Sequence, residues 1–266
     1  MKYLTNTVKE KLNTGQLVLG SWISLPSLES VEIMCMSQAF DFLVIDAEHS
    51  PIHLETIQKM NMVIEGHGIF PFVRVSNNDP VTIKRTLETG CYGIIVPDIS
   101  SKYEAQASIK NILYKPKGNR GVGLSRAQGY GMNFGDYLSW LEHNLCIIVQ
   151  IEDIHAIQNL REILDNDSID ASMIGPYDLS ASLGCAGDLS NDRVIGALEE
   201  YESVSTEMNK PYGYHITHSN EGLLRDKSSK GYSFLVYGVD QIMLAEKCEQ
   251  SRSAINEIRR DHSCEI

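Results

Sequence analysis

An eight-stranded parallel β/α barrel is the fold this sequence predicts, and three observations carry it. Short apolar runs alternate with amphipathic segments along the chain, the pattern of a parallel sheet. The runs are apolar throughout, as in Phe42-Leu43-Val44-Ile45, which suits strands buried on both faces. Eight such runs fall in the 266 residues. That is about 33 residues per unit, close to one βαβ step, and more strands than an open doubly wound sheet usually has.

The elements are expected in this order. Strand Val18–Ile23 leads to helix Ser27–Gln38, Phe42–Asp46 to His53–Glu65, Phe70–Val75 to Pro80–Thr89, and Gly93–Val96 to Lys102–Leu113. Strand Cys146–Ile151 leads to His155–Leu164, Ala171–Ile174 to a short helix and then Asp192–Asn209, and Tyr212–Ile216 to Asn220–Ser229. The last strand, Phe234–Tyr237, leads to the long segment Gln241–Arg260. Pro116–Leu145 carries six of the twenty glycines and reads as a long irregular loop. It follows a helix, so it begins at the face opposite the catalytic one, and a subunit contact and a substrate contact are equal readings. Residues 1–266 are expected to form one barrel domain, with Arg259–Ile266 as a frayed tail.

Charge narrows the partners. Lys and Arg number 23 against 35 Asp and Glu, a net charge of −12, with no basic stripe. That argues against nucleic acid and anionic membranes. Cys35, Cys91, Cys146, Cys185, Cys248 and Cys264 are scattered without a C-x-x-C pair, which points to reduced thiols and a cytoplasmic location. Met1–Gly15 has no apolar signal core, and no run approaches the roughly 20 apolar residues of a membrane span.

In such a barrel chemistry sits at the C-terminal ends of the strands. Four strands there end in polar residues: Asp46-Ala47-Glu48-His49, Arg74, Gln150-Ile151-Glu152 and Gly175-Pro176-Tyr177-Asp178. Gln150 and Glu152 are two apart and share a face. Glu152 and Asp178 together suit a hard divalent cation, Mg²⁺ or Mn²⁺. The alternative is that Glu152 caps a helix starting near Asp153. Asp46 and His49 are spaced for a carboxylate–imidazole dyad, or His49 is a structural loop residue. Glu48, between them, is assigned no chemistry. Arg74 needs an anion, either a ligand carboxylate or a salt bridge to Asp46 or Glu48. The Gly175-led turn exposes N–H groups to an anion, or Asp178 simply caps the helix.

Absences help as well. There is no Walker motif, no G-x-G-x-x-G after the first strand and no G-x-S-x-G elbow. The lysines lie outside the strand runs, so metal activation of a carbonyl is favoured over imine formation.

Taken together, Leu19-Gly20-Ser21-Trp22, Ile45-Asp46-Ala47-Glu48-His49-Ser50-Pro51, Val73-Arg74-Val75, Asn78-Asp79-Pro80, Arg120-Gly121-Val122-Gly123, Val149-Gln150-Ile151-Glu152 and Gly175-Pro176-Tyr177-Asp178-Leu179-Ser180 resemble the HpcH/HpaI aldolase family. The resemblance runs colinearly from about residue 8 to 250. It implies a TIM barrel that cleaves 4-hydroxy-2-oxo acids, including 2-keto-3-deoxy sugar acids, into pyruvate and an aldehyde. It implies a divalent metal on Glu152 and Asp178: Mg²⁺ or Mn²⁺, with Co²⁺ or Zn²⁺ also accommodated. Arg74 would hold pyruvate and its enolate, with Gln150 and Trp22 lining the site. Asp46 and His49 would handle protons, and Gly175, Pro176, Tyr177 and Asp178 would receive the pyruvate carboxylate. Homo-oligomers are implied, a hexamer or trimer of dimers, with the long C-terminal helix exchanged between subunits.

Three positions depart from the family pattern. Glu88 stands where relatives often carry Asp, at the acid/base end of the site. Tyr177 replaces a small residue, and Tyr214-His215-Ile216-Thr217-His218 is unusually polar. Either that stretch sets specificity or His218 is merely exposed. The rival readings are an acyl-CoA lyase of the wider citrate lyase/malyl-CoA lyase superfamily and a catalytically inactive, metabolite-binding barrel.

Overall fold

A computed structural model describes residues 3–263. Eight parallel strands close into a barrel in sequence order. They are β1 Val18–Ile23, β2 Phe42–Asp46, β3 Phe70–Arg74, β4 Gly93–Val96, β5 Cys146–Ile151, β6 Ala171–Ile174, β7 Tyr212–Ile216 and β8 Phe234–Val239. β3 stops one residue before the expected end and β8 runs two beyond it. The helices are α1 Thr7–Asn13, α2 Leu28–Met36, α3 Leu54–Gly66, α4 Pro80–Glu88, α5 Lys102–Ile112, α6 Phe134–Asn144, α7 Ile154–Gln158, α8 Leu160–Leu164, α9 Pro176–Ser182, α10 Asp192–Glu207, α11 Glu221–Ser229 and α12 Asp240–Ser263.

Four expectations need correction. Helix α1 was not anticipated; Asn6 caps it by accepting from Val8 N–H, and its buried amide donates to the Tyr92 and Asn144 carbonyls. Pro116–Leu145 is not irregular, since it holds a 3₁₀ turn at Arg126–Gly131 and then α6. Tyr137, Trp140 and Leu141 bury one stripe of α6 at helical spacing. Buried Arg126 donates to the Thr89 and Gly90 carbonyls and pairs with Glu65, tying this segment to the N-terminal end of the barrel. The helix expected over His155–Leu164 breaks at Asn159 into α7 and α8. Finally, Arg259–Ser263 continues α12 instead of fraying, while 264–266, with Cys264, lie outside the described residues.

Register sorts the inward side chains. Each step to the next strand lowers the Cα partner by one residue, as in Trp22 with Val44, Phe72 with Gly93 and Gly213 with Phe234. Inward residues therefore stack in layers of four from alternate strands. The lowest layer is Phe42, Gly93, Ala171 and Phe234, and the next is Gly20, Phe72, Ile148 and Gly213. Phe42 lies 4.7 Å from Phe234 and 4.8 Å from Phe72, centroid to centroid. The glycines make room for these rings: a Cβ on Gly20 would meet the Phe42 ring at 2.3 Å, and one on Gly93 the Phe72 ring at 2.4 Å. Val44, Ile95, Met173 and Val236 form the third layer. The fourth is polar: Trp22, Arg74, Gln150 and His215.

Candidate active site

That fourth layer is the floor of the mouth, with Asp46 and Gly175 one step above it and Glu152 two. A cavity of about 570 Å³ opens over one side, lined among others by Glu48, His49, Asp98, Glu152 and Asp178. A cavity of about 590 Å³ at the opposite end meets Asp170 and Lys210. Asp170 there is paired with Lys9, and Lys210 donates to the Asn166 and Ile169 carbonyls. The chemistry is therefore at the mouth, where strand ends converge.

Arg74 is the best-anchored group of the floor. Its Nε and Nη2 donate to the two oxygens of Asp46 at 2.9 and 2.8 Å, and both side chains are only 8% exposed. Its Nη1 lies 3.2 Å from Glu48 Oε2, and its guanidinium sits 4.4 Å from the Trp22 ring centroid. Burial pushes the Asp46 carboxyl up, but the hydrogen bonds and charge of Arg74 outweigh it and hold Asp46 below its ordinary value. Glu48, sharing the same cation less closely, is raised by burial, with Asp98 and Asp46 adding to the rise against the pull of Arg74 and His49. One arginine shared unequally between two acids thus lowers one carboxyl and leaves the other raised.

This geometry corrects the expected dyad. Asp46 accepts the backbone N–H of Glu48 and, more loosely at 3.3 Å, of His49, and its remaining capacity goes to Arg74. It does not meet the imidazole. The acid beside the ring is Glu48, with His49 Nε2 3.7 Å from Glu48 Oε2 and the His49 side chain 65% exposed at the rim. Glu48 belongs to the site. It lies two residues beyond Asp46, and that spacing was the available signal.

Glu152 does not cap a helix; Asp153 does, accepting from His155 N–H. Glu152 is buried, takes a hydrogen bond from the Gln150 amide, and accepts the Asp98 N–H at 3.0 Å. Asp98 delivers that N–H from a left-handed conformation, φ +56°, a turn that strand periodicity does not reveal. Burial pushes the Glu152 carboxyl up to about 8; Glu48, Asp178 and Asp98 add to this, and the Asp98 N–H opposes it. Asp178 is not the cap of α9 either, because Gly175 holds the N-cap position without a side-chain bond. A Cβ on Gly175 would stand 3.0 Å from Glu152 Oε1 and 3.4 Å from Asp178 Oδ2, so the two carboxylates flank one point. Two carboxyl groups this close, with Glu152 raised by burial and its acidic neighbours, fit a divalent ion that takes its remaining ligands from water or substrate. No three His, Cys, Asp or Glu among the described residues form a ready-made cage.

The other expected residues divide. Trp22 packs against His215 with the rings tilted by 54° and their centroids 5.2 Å apart. Tyr177 is 45% exposed in the first turn of α9. His218 is exposed and meets Glu246 of α12 at 3.0 Å. Glu88 is not brought to the mouth. It ends α4, and a helix after a parallel strand runs back to the N-terminal end of the barrel, where Glu88 lies beside Gly123.

A barrel with acids and one arginine gathered at its C-terminal mouth defines an enzyme site for an anionic, oxygen-rich ligand. The model of the HpcH/HpaI aldolase/citrate lyase family matches residues 19–245. A 4-hydroxy-2-oxo-heptane-1,7-dioate aldolase of Escherichia coli is 36% identical over 247 residues, covering 92% of this chain and 93% of that one. The same-named Klebsiella pneumoniae enzyme is 35% identical with 92% of each chain covered. Among solved structures, an HpcH/HpaI family protein of Burkholderia cenocepacia superposes with a TM-score of 0.88 at 27% identity, over 96% of this chain and all of that one. The chain belongs to the HpcH/HpaI aldolase/citrate lyase family and is a carbon–carbon lyase.

Proposed function

We propose that the chain is a divalent-metal-dependent aldolase that reversibly cleaves a 4-hydroxy-2-oxo acid into pyruvate and an aldehyde. The observation that carries this reading is the convergence of Glu152 and Asp178 on one point above the Arg74 floor. Those carboxylates would hold Mg²⁺ or Mn²⁺, and their oxygen donors also accept Co²⁺ or Zn²⁺. When bound, the cation polarises the 2-oxo group and offsets the acid charge.

The chain's own residues supply the rest. Two of the five Arg74 N–H groups are bonded to Asp46, and the others, with Nη1 in ion-pair range of Glu48, are left for the oxygens of the oxo acid and its enolate. The N–H groups of Tyr177 and Asp178 in the first turn of α9 receive the acid's carboxylate, since Pro176 has none and that of Gly175 donates to the Ile151 carbonyl. Gln150 orients Glu152. His49, exposed at the rim beside Glu48, takes the proton of the C4 hydroxyl as the C3–C4 bond breaks, and protonation of the resulting enolate at C3 gives pyruvate. The acidic lining of the cavity disfavours the phosphates of an acyl-CoA, and the populated site disfavours an inactive barrel.

We further propose one domain over 1–266, a cytoplasmic location and a homo-oligomer, a hexamer or trimer of dimers. Leu244, Ile255 and Ile258 of α12 and Ile33 and Met36 of α2 are exposed apolar side chains that a second copy would cover. Glu88 reaches a mouth only if that mouth belongs to another copy. The five described cysteines are unpaired, and no described helix is long and apolar enough to cross a membrane.

The test is pyruvate release from a panel of 4-hydroxy-2-oxo acids, with Mn²⁺ and with excess chelator. Metal-dependent release supports the reading; undiminished release in chelator, or none from any member, overturns it.

A further inference from the structure

Three polar atoms of the floor are buried without a partner: Trp22 Nε1, Gln150 Oε1 and His215 Nε2. Buried polar atoms are nearly always satisfied, so three in one layer mark a surface that a ligand completes. Their positions divide the work. Arg74 occupies the β3 side of the floor, and Glu152 and Asp178 stand over β5 and β6. The quadrant left is β7 and β1, and it holds His215 and Trp22. An oxo acid whose C1 and C2 oxygens are held on β3, β5 and β6 turns its C3 substituent toward that quadrant.

The two residues specify what they accept. Indole Nε1 only donates; a neutral imidazole offers one donor and one acceptor. Burial, and then the charge of Arg74, push His215 down to about 3, so the ring is uncharged at neutral pH. Asp46 and Glu48 already face Arg74, and its remaining N–H groups go to the oxygens of the oxo acid, so a second carboxylate in this quadrant would have no further cation to meet. A hydroxyl both accepts from Trp22 and exchanges a hydrogen bond with His215.

Resting on the aldolase reading above, we infer that His215 and Trp22 form a subsite for a hydroxyl on C3 of the 2-oxo acid, and that the site takes hydroxypyruvate in preference to pyruvate. His215 is then a specificity-determining residue of the acid half.

Enzyme-catalysed deuterium exchange at C3, followed by NMR on the Mn²⁺-loaded protein, tests this without an aldehyde. The wild type is expected to exchange hydroxypyruvate with a kcat/KM at least about 10-fold above that for pyruvate. His215→Leu, which fills the space without a polar atom, is expected to lower that ratio about 10-fold. His215→Gln, which keeps an N–H near the Nε2 position, is expected to preserve most of it. A wild type that exchanges pyruvate as fast as hydroxypyruvate overturns the subsite even if no variant folds, and so does a ratio unchanged in His215→Leu; both leave the aldolase reading standing. Exchange of neither acid by the wild type overturns the aldolase reading and the subsite with it.

Discussion

Replacing Arg74 with Ala strips the floor of its cation and strands Asp46. Asp46 is 6% exposed and would lose two hydrogen bonds of 2.9 and 2.8 Å, while Glu48 would lose its neighbour at 3.2 Å. Removing one partner of such a buried pair costs about 3–5 kcal/mol, a large share of the ~5–15 kcal/mol by which domains are stable. The loss should depend on pH. In the wild type Asp46 lies below its ordinary value, so it contributes stability above the unfolded pKa of about 4 that disappears as pH falls. In Arg74→Ala burial is opposed only by the Glu48 and His49 backbone N–H groups, so Asp46 is lowered less and its contribution above about pH 4 shrinks. The gap between wild type and variant should therefore be widest at pH 7 and narrow toward pH 4. Urea unfolding of the chelated proteins at both pH values measures it. A gap below about 1 kcal/mol, or one equal at both pH values, would refute the electrostatic account. The double variant Asp46→Asn/Arg74→Met should regain much of the stability while staying inactive, separating the fold from the chemistry.

Glu152→Gln should abolish the rise in melting temperature that Mn²⁺ gives the wild type. With chelator present, wild-type stability should fall as pH rises from 5 through about 8, because the raised carboxyl must ionise in its buried site, and Gln should flatten that slope in urea titrations. Gly20→Ala should destabilise by about 1–3 kcal/mol, since its Cβ lands 2.3 Å from the Phe42 ring, and calorimetry of Gly20→Ala/Phe42→Val should show partial recovery. Lys227 is buried with its Nζ 4.6 and 4.9 Å from the Tyr214 and Tyr232 centroids, and burial lowers its pKa. Wild-type stability relative to Lys227→Met should therefore rise as pH climbs toward about 10, and parallel denaturation curves at pH 7 and 9.5 would contradict that.

The barrel was legible because burial on both sides makes each strand a short, wholly apolar run, and such runs stand out from amphipathic helices. What escaped depended on contacts between distant segments. Helix α6 was hidden by the glycines around it, although the stripe of Tyr137, Trp140 and Leu141 was present to be counted. Helix α1 is seven residues long and held by bonds from Asn6 to Tyr92 and Asn144, which no local pattern announces. At the site, residue types and strand ends point to Asp46, Arg74, Gln150, Glu152 and Asp178, but not to who bonds whom, and Trp22 comes only with the family resemblance. Asp46 was matched to His49 by proximity in the chain, whereas the barrel register sets Arg74 directly opposite Asp46 on the neighbouring strand. Glu88 lies at the far rim of its own barrel because α4 runs away from the mouth, so a role for it at a mouth needs a second copy.

The three phenylalanines at the base of the barrel have a kinetic consequence. Phe42, Phe72 and Phe234 stop the axis like a cork, with rings no more than 6.2 Å apart. The vessel therefore has one neck. Whatever rests against the floor must travel in before, and out after, anything held nearer the rim. A reaction that splits one molecule into a deep piece and a shallow piece in such a vessel releases them in a set sequence, shallow first, and the deep piece alone competes with fresh substrate for the empty enzyme.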